Sequence, residues 1–280
     1  MYKTILVVLD SKARAAALVD VALSLAERHD AHLVGVHVLA ADIGSMVGMF
    51  PAEIPAEFIA ETRRLRVEEA EAIEEIFRRK VSAAGADRSE WRREETVRPD
   101  DGRILNRHAM CADLVIAGQG PDAAAGSDPV LADLVMGCGR PVLIVPYAGR
   151  FERVGDRVLI AWNGTREAAR AAADALPLLK TASRVRVLTI DPRNDRPTPG
   201  LATADDLVLA LARQDVAVEA ATSFSGDLSV GDDILSSLAD QGSDLLVMGC
   251  FGHSRVREML FGGVTRHILR HMTVPVLMSH

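Results

Sequence analysis

Aromatic residues are scarce in this chain, at 4% of 280 residues with two Trp and two Tyr. A core of that composition has to be aliphatic, built from Val, Leu, Ile and Ala, which suits a parallel sheet covered by helices better than a sandwich or an aromatic recognition surface. Cysteine is scarce too: Cys111, Cys138 and Cys250 are odd in number and share no metal-ligand spacing. No apolar run is long enough to span a bilayer and no signal-peptide pattern is found, so the expected setting is a reducing cytoplasm, off the membrane. Positive charge is not in excess. The formal net charge of −7 opposes nonspecific binding to nucleic acid. The common catalytic signatures are missing as well: there is no G-x-S-x-G elbow, no H-E-x-x-H and no P-loop lysine. What is abundant is hydrophobic sequence, 49% of residues, enough to fill the core of one large domain or two ordinary ones.

Taken in order, residues 3–9 form a short apolar run that ends at Asp10, an alanine-rich helical stretch follows from Lys12 to Arg28, and a second apolar run covers His32 to Leu39. That is a β-α-β unit whose crossover is long enough to make the strands parallel. Residues 40–57, with Gly44, Gly48, Pro51 and Pro55, read as an irregular connector. From Ala56 to Ala84 opposite charges recur at helical spacing around Ile59, Leu65, Ile73, Ile76 and Phe77. This predicts one long amphipathic helix, with a solvated or partner-docking charged face. A weak strand near Trp91 to Val97, a short helix near 101–110, the strand 112–118, a helix over 129–137 and the strand 141–146 complete the series.

The same order then begins again. Asp156-Arg-Val-Leu-Ile-Ala-Trp-Asn163 parallels Lys3-Thr-Ile-Leu-Val-Val-Leu-Asp10, Ser243-Asp-Leu-Leu-Val-Met-Gly249 parallels Ala112-Asp-Leu-Val-Ile-Ala-Gly118, and Val274-Pro-Val-Leu-Met parallels Arg140-Pro-Val-Leu-Ile. In the second copy, helices are expected at Thr165 to Lys180, Leu201 to Arg213 and Ser229 to Asp240, with a strand at Val216 to Ser223. The repeat predicts two α/β domains, 1–147 and 153–280. Each should be an open, mostly parallel five-stranded sheet with helices on both faces, and the two should pack as an internal pseudo-dimer.

Near the end of the second copy the strand 244–249 closes on Gly249, Gly252 follows, and Gly262 and Gly263 open a helix from Val264 to about Met272. Glycines at a strand exit and a helix start let backbone N–H groups approach a bulky anion, because no Cβ intervenes. This G-x2-G-x9-G element just before a final strand resembles the nucleotide-binding signature of the universal stress protein family. The flanks 243–249 and 273–278 and the tandem organisation extend the resemblance. It implies two Rossmann-like domains of the adenine nucleotide alpha hydrolase-like type. The implied ligand is ATP or another adenine nucleotide, with or without Mg, and the implied role is stress-response regulation through a protein partner. Pairing of final-strand edges, frequent in the family, implies a possible homodimer.

Two departures are visible. The family usually has Ser or Thr where this chain has Gly263, and an acidic residue at the end of the first strand where this copy has Asn163. The candidate nucleotide-binding set is therefore Asn163, Gly249, Gly252, Gly262, Gly263, Val264 and Thr265, with no catalytic residue and no metal ligand. Thr265 offers a hydroxyl or a local cap. His253, Ser254, Arg255 and Arg257 form a basic loop, to phosphate or to solvent. His267 and His271 have the spacing of a metal pair but no acidic or cysteine partner nearby in sequence. Cys250 reads as small-residue packing. The first copy keeps Asp10 but places Asp128-Pro129 where the second has Gly262-Gly263, so a carboxylate stands where a phosphate would sit. One competent half and one degenerate half are expected. A nucleotide-free scaffold with both sites vestigial and a slow nucleotide hydrolase are the competing readings. The faint likeness of 10–12 and 163–165 to a pyrophosphatase loop gives the last no base.

Overall fold

In the computed structural model, residues 1–40, 55–96, 102–120, 128–191, 201–224, 226–250 and 263–280 are described. The expected connector at 40–57 lies for the most part outside them. Strand β1 (Thr4–Val8) buries everything after Thr4. Ile5 and Val7 enter one apolar cluster and Leu6 and Val8 another, one on each face. Burial on both faces explains why the run is continuously apolar rather than alternating. Helix α1 (Lys12–His29) returns over the sheet by burying Ala15, Leu18, Val19, Ala22, Leu25 and Ala26 at three- and four-residue steps, and Asp30 closes it in the left-handed conformation. Strand β2 (His32–Ala40) follows beside β1.

Helix α2 (Ala56–Ala83) is the long charged helix, and its buried residues, Ala70, Ile73 and Phe77, all lie in its second half. Phe58 and Leu65 in the first half are exposed. Strand β3 (Ser89–Thr96) pairs along its whole length with β2. Its charged side chains made it faint in sequence, but an edge strand keeps one side in water and is protected by such charges. Helix α3 (Gly102–Ala109), strand β4 (Leu114–Gly118), helix α4 (Pro129–Gly137) and strand β5 (Val142–Val145) complete the first set.

The second set comprises β6 (Arg157–Ala161), α5 (Arg166–Asp174), α6 (Leu176–Leu179), β7 (Arg184–Ile190), α7 (Ala204–Ala212), β8 (Val218–Ser223), α8 (Val230–Gln241), β9 (Leu245–Gly249), α9 (Gly263–His271) and β10 (Val276–Ser279). One expectation is corrected here. The single helix over 165–180 is two, broken at Ala175, which caps the end of α5 and the start of α6. Pro177 has no N–H for the helical ladder and its ring excludes the carbonyl one turn back, so continuous winding stops there.

Both five-strand sets are present, and they are joined. Among the described residues the strand order is β3-β2-β1-β4-β5-β10-β9-β6-β7-β8, one ten-stranded sheet. Every pairing within each set is parallel, and at the seam β5 and β10 run antiparallel with Leu143 opposite Leu277. The final-strand edges expected to pair two chains are thus used within one. Each apolar cluster crosses the seam, one holding Leu143, Val145 and Leu277, the other Val142, Ile144, Val276 and Met278. Polar ties cross it too: Tyr2 Oη donates to the Asp174 carbonyl at 2.7 Å and Arg28 Nη1 to the Val154 carbonyl at 2.7 Å.

Two equivalent aspartates fix how each set begins. Asp113 Oδ2 accepts the N–H groups of Lys3 (2.7 Å) and Thr4 (3.0 Å), just before β4. Asp244, just before β9, accepts those of Gly155 (3.1 Å), Asp156 (3.0 Å) and Arg157 (2.9 Å). Carboxylates form stronger hydrogen bonds than neutral acceptors, so Asp244→Ala should lose about 2–4 kcal/mol of stability. A urea titration checks this by a lower midpoint at unchanged slope. An unmoved midpoint would mean that water replaces the carboxylate at no loss.

Candidate functional site

Strands β6 and β9 are neighbours, with Ala161 opposite Met248 near their C-terminal ends. The chain leaving β6 passes through α5 to β7 on one side, whereas the chain leaving β9 passes through α9 to β10 on the other. The two helices pack on opposite faces, since Ala168, Ala171 and Ala172 of α5 join one cluster and Ile268 and Leu269 of α9 the other. Divergence of this kind opens a crevice beyond the strand ends, the usual ligand position in open α/β sheets.

Asn163 lies just past β6 and is exposed. Its Oδ1 accepts from the Thr165 N–H (3.2 Å) and the Thr165 hydroxyl (2.9 Å), forming a local turn that leads into α5. The carbonyl end is occupied, so what Asn163 retains for a ligand is its donor amide. Gly164, with φ +74°, permits the turn: a Cβ there would lie 2.6 Å from the Ala202 carbonyl. That carbonyl also accepts from Trp162 Nε1 at 3.0 Å.

Gly249 has a more demanding role than an open cradle. A Cβ at that position would lie 2.4 Å from both the Ala168 amide nitrogen and the Glu167 carbonyl carbon, so the missing side chain is what admits the first turn of α5. Glu167 is carried there with 6% of its surface exposed. Burial raises its pKa, but hydrogen bonds from Arg166 and from its own N–H lead the effects that outweigh that and leave it below the ordinary range. The Glu167 backbone therefore lies against Gly249, and its carboxylate is held ionised.

Cys250 is buried, and its backbone N–H donates to the Ser279 carbonyl at 3.1 Å. Burial first, then the charge of Glu167, pushes its thiol up to about 12. The residue packs as a protonated thiol.

At the start of α9, Gly263 is exposed, with nothing among the described residues within 4 Å of where a Cβ would stand. Val264 is half-buried and the Thr265 side chain is buried. Gly252, Gly262, His253, Ser254, Arg255 and Arg257 lie outside the described residues. His267 does have an acidic neighbour that sequence distance concealed, because its Nε2 is 2.8 Å from Asp232 Oδ1 of α8. Among the described residues no group of three or more His, Cys, Asp or Glu is placed to hold a metal.

In the first set, Asp128 caps α4 by accepting the Leu131 N–H at 2.9 Å, with Pro129 in the first turn. Gly120 lies against this cap, since a Cβ there would stand 2.1 Å from Asp128 Oδ2. Gly118 is the counterpart of Gly249. A Cβ on it would fall 1.2 Å from Arg14 Nη2, so the guanidinium rests directly on the glycine.

Arg14 and Glu167 were not among the sequence-derived candidates. Each follows its strand-end residue, Asp10 or Asn163, by four positions. The signal was available in the repeat: one register position carries opposite charges in the two copies.

The model of the Universal stress protein family matches residues 1–146 and 155–280. The chain belongs to the universal stress protein family. As a tandem-type universal stress protein it shares its fold with a universal stress protein from Archaeoglobus fulgidus DSM 4304 at TM-score 0.69 and 17% identity, over 98% of this chain and 95% of that one. A putative universal stress protein from Pseudomonas aeruginosa UCBPP-PA14 is similar at TM-score 0.56 and 14% identity, covering 99% of this chain and 93% of the other. Universal stress protein Slr1230 from Synechocystis is 47% identical over 38 residues, 14% of this chain and 13% of that relative's own length. No helix among the described residues of this universal stress protein is long and apolar enough to cross a membrane.

Proposed function

We propose that this universal stress protein binds an adenine nucleotide in the crevice of residues 153–280 and acts in the cytoplasm by presenting the bound state to a protein partner. The observation that carries the reading is the divergence of the chain at β6 and β9, which sets Asn163, Gly249 and the start of α9 at one end of the sheet. The Asn163 amide would donate to the base. The N–H groups at Gly263, Val264 and Thr265, at the positive end of α9, would meet phosphate oxygens. Gly252 and Gly262 complete the set by motif. ATP is the expected ligand, or another adenine nucleotide, with or without Mg. Binding alone suffices to bias conformation or assembly, and no turnover is required. Residues 1–147 lack the glycine set and are not assigned a nucleotide.

The second reading, a nucleotide-free scaffold, is favoured by Phe58 and Leu65, which are exposed on the otherwise charged first half of α2. Titration calorimetry of the full chain with Mg-ATP, ADP and AMP, after mass spectrometry for carried nucleotide, separates the two. Binding at about one equivalent, weakened ~100-fold or more in Gly252→Arg, is the expected result. No binding and no carried nucleotide would leave the scaffold.

A further inference from the structure

The opposite charges at positions 14 and 167 have unequal surroundings. Glu167 is an anion supplied with donors, from Arg166 and its own N–H. Arg14 is a cation whose ion pair among the described residues is a long one, to Asp10. Its side chain is 16% exposed, and both terminal nitrogens, Nη1 and Nη2, are buried with no hydrogen-bond partner among the described residues. The carboxylate oxygen of that pair, Asp10 Oδ2, stands 3.6 Å from Nη2, beyond hydrogen-bond reach, on a side chain 46% exposed. A second carboxylate, that of Glu69, is taken up by the Lys12 N–H at 3.3 Å, so the start of α1 already has its anion. A guanidinium cannot release its proton to escape such a position, and its forked donors match the paired oxygens of an oxyanion. Gly118 is what lets the guanidinium lie where it does.

We propose that the first half carries an inorganic phosphate site centred on Arg14, with Nη1 and Nη2 donating to two phosphate oxygens and Asp10 accepting from the phosphate hydroxyl. Asp10 selects the ion. A carboxylate or sulfate reaching Nη2 brings only acceptors toward Asp10 and is repelled. Inorganic phosphate keeps an O–H at neutral pH and turns that contact into a charge-assisted hydrogen bond. A phosphomonoester such as AMP is largely without that proton at pH 7.5, because its second ionisation lies near 6. The site is separate from the nucleotide crevice of the second half, where the equivalent position is the carboxylate of Glu167.

The test is calorimetric titration of the full chain at pH 7.5 with inorganic phosphate, sulfate and AMP, with thermal midpoints recorded in each. Phosphate is expected to bind at least ~10-fold tighter than sulfate and to raise the midpoint. Arg14→Met should abolish both effects, and Arg14→Lys, with a single point charge in place of the fork, should weaken them ~10-fold if the Met variant does not fold. Asp10→Asn should bring sulfate level with phosphate. Gly252→Arg should leave phosphate binding unchanged, which keeps this site distinguishable from the nucleotide site whether or not a nucleotide binds. Absence of phosphate binding, equal binding in the Arg14 variants, or unchanged selectivity in Asp10→Asn would overturn the proposal. AMP binding as tightly as phosphate and lost with Arg14 would overturn the inorganic source.

Discussion

Gly249→Val should destabilise the protein by about 3–5 kcal/mol, at the severe end for a single substitution. The added Cβ would stand 2.4 Å from two backbone atoms of α5, and a helix anchored through Ala168, Ala171 and Ala172 in the core cannot withdraw without opening that core. Nor can β9 retreat, because it is paired on both sides, with β6 and with β10. The position contrasts with Gly118, where the atoms in the way belong to the movable head of Arg14 and can be displaced. The measurement is equilibrium unfolding in urea, with amide exchange to locate the loss. A midpoint equal to that of the parent chain would mean that α5 tolerates a shift of several tenths of an ångström, and the close approach would not be what Gly249 is for.

Leu143→Ala should lower the melting temperature of the whole chain in one step. Leu143 is fully buried in β5 opposite Leu277 of β10, at the antiparallel seam, and both belong to a cluster that also contains β1, α1, β6 and α5 residues. Truncation removes buried methyl groups and leaves a cavity that the sheet cannot close, a loss of about 2–5 kcal/mol. For a chain of this size that amounts to a fall of roughly 3–9 °C. Because each cluster runs through the seam, the two sets of strands share their cores, and a single cooperative transition is expected before and after substitution. Scanning calorimetry decides the point. If part of the chain melts at its original temperature while the rest melts early, the halves unfold independently and the seam is a docking contact between finished domains.

Much of the fold was legible because its determinants are local. The apolar runs at 3–9, 112–118, 156–161 and 243–249 declare buried strands, since a strand covered on both faces has no polar side to alternate with. The repeat of those runs announced two similar sets. Strand β3 was faint for the converse reason, because Ser-Glu-Trp-Arg-Arg-Glu-Glu-Thr carries the charges of a sheet edge. The break at Ala175 was legible at Pro177 but hidden within an alanine-rich run with strong helical propensity.

The candidate site was less legible. Asn163, Gly249, Gly263, Val264 and Thr265 were reached by motif and repeat, and the turn at Asn163–Thr165 could be anticipated from an Asn-Gly-Thr sequence. That Gly249 serves helix packing could not, because the group it admits lies some eighty positions earlier in the chain. Arg14 and Glu167 went unnoticed because single charges near a helix start are ordinary. What sets them apart is burial and the presence or absence of partners, neither of which a sequence displays.

The sequence by itself determined the aliphatic α/β class, the duplication, the element order and the glycine-rich strand exit, all consequences of composition, periodicity and turn chemistry acting over a few residues. Tertiary structure alone decided that β5 and β10 join two sheets into one, that Asp113 and Asp244 clamp the strands that begin each half, and that equivalent positions hold a hydrogen-bonded carboxylate in one half and, among the described residues, a guanidinium with only a long ion pair in the other. Those outcomes depend on which distant groups share a low-dielectric space, where a missing partner matters far more than it does in water.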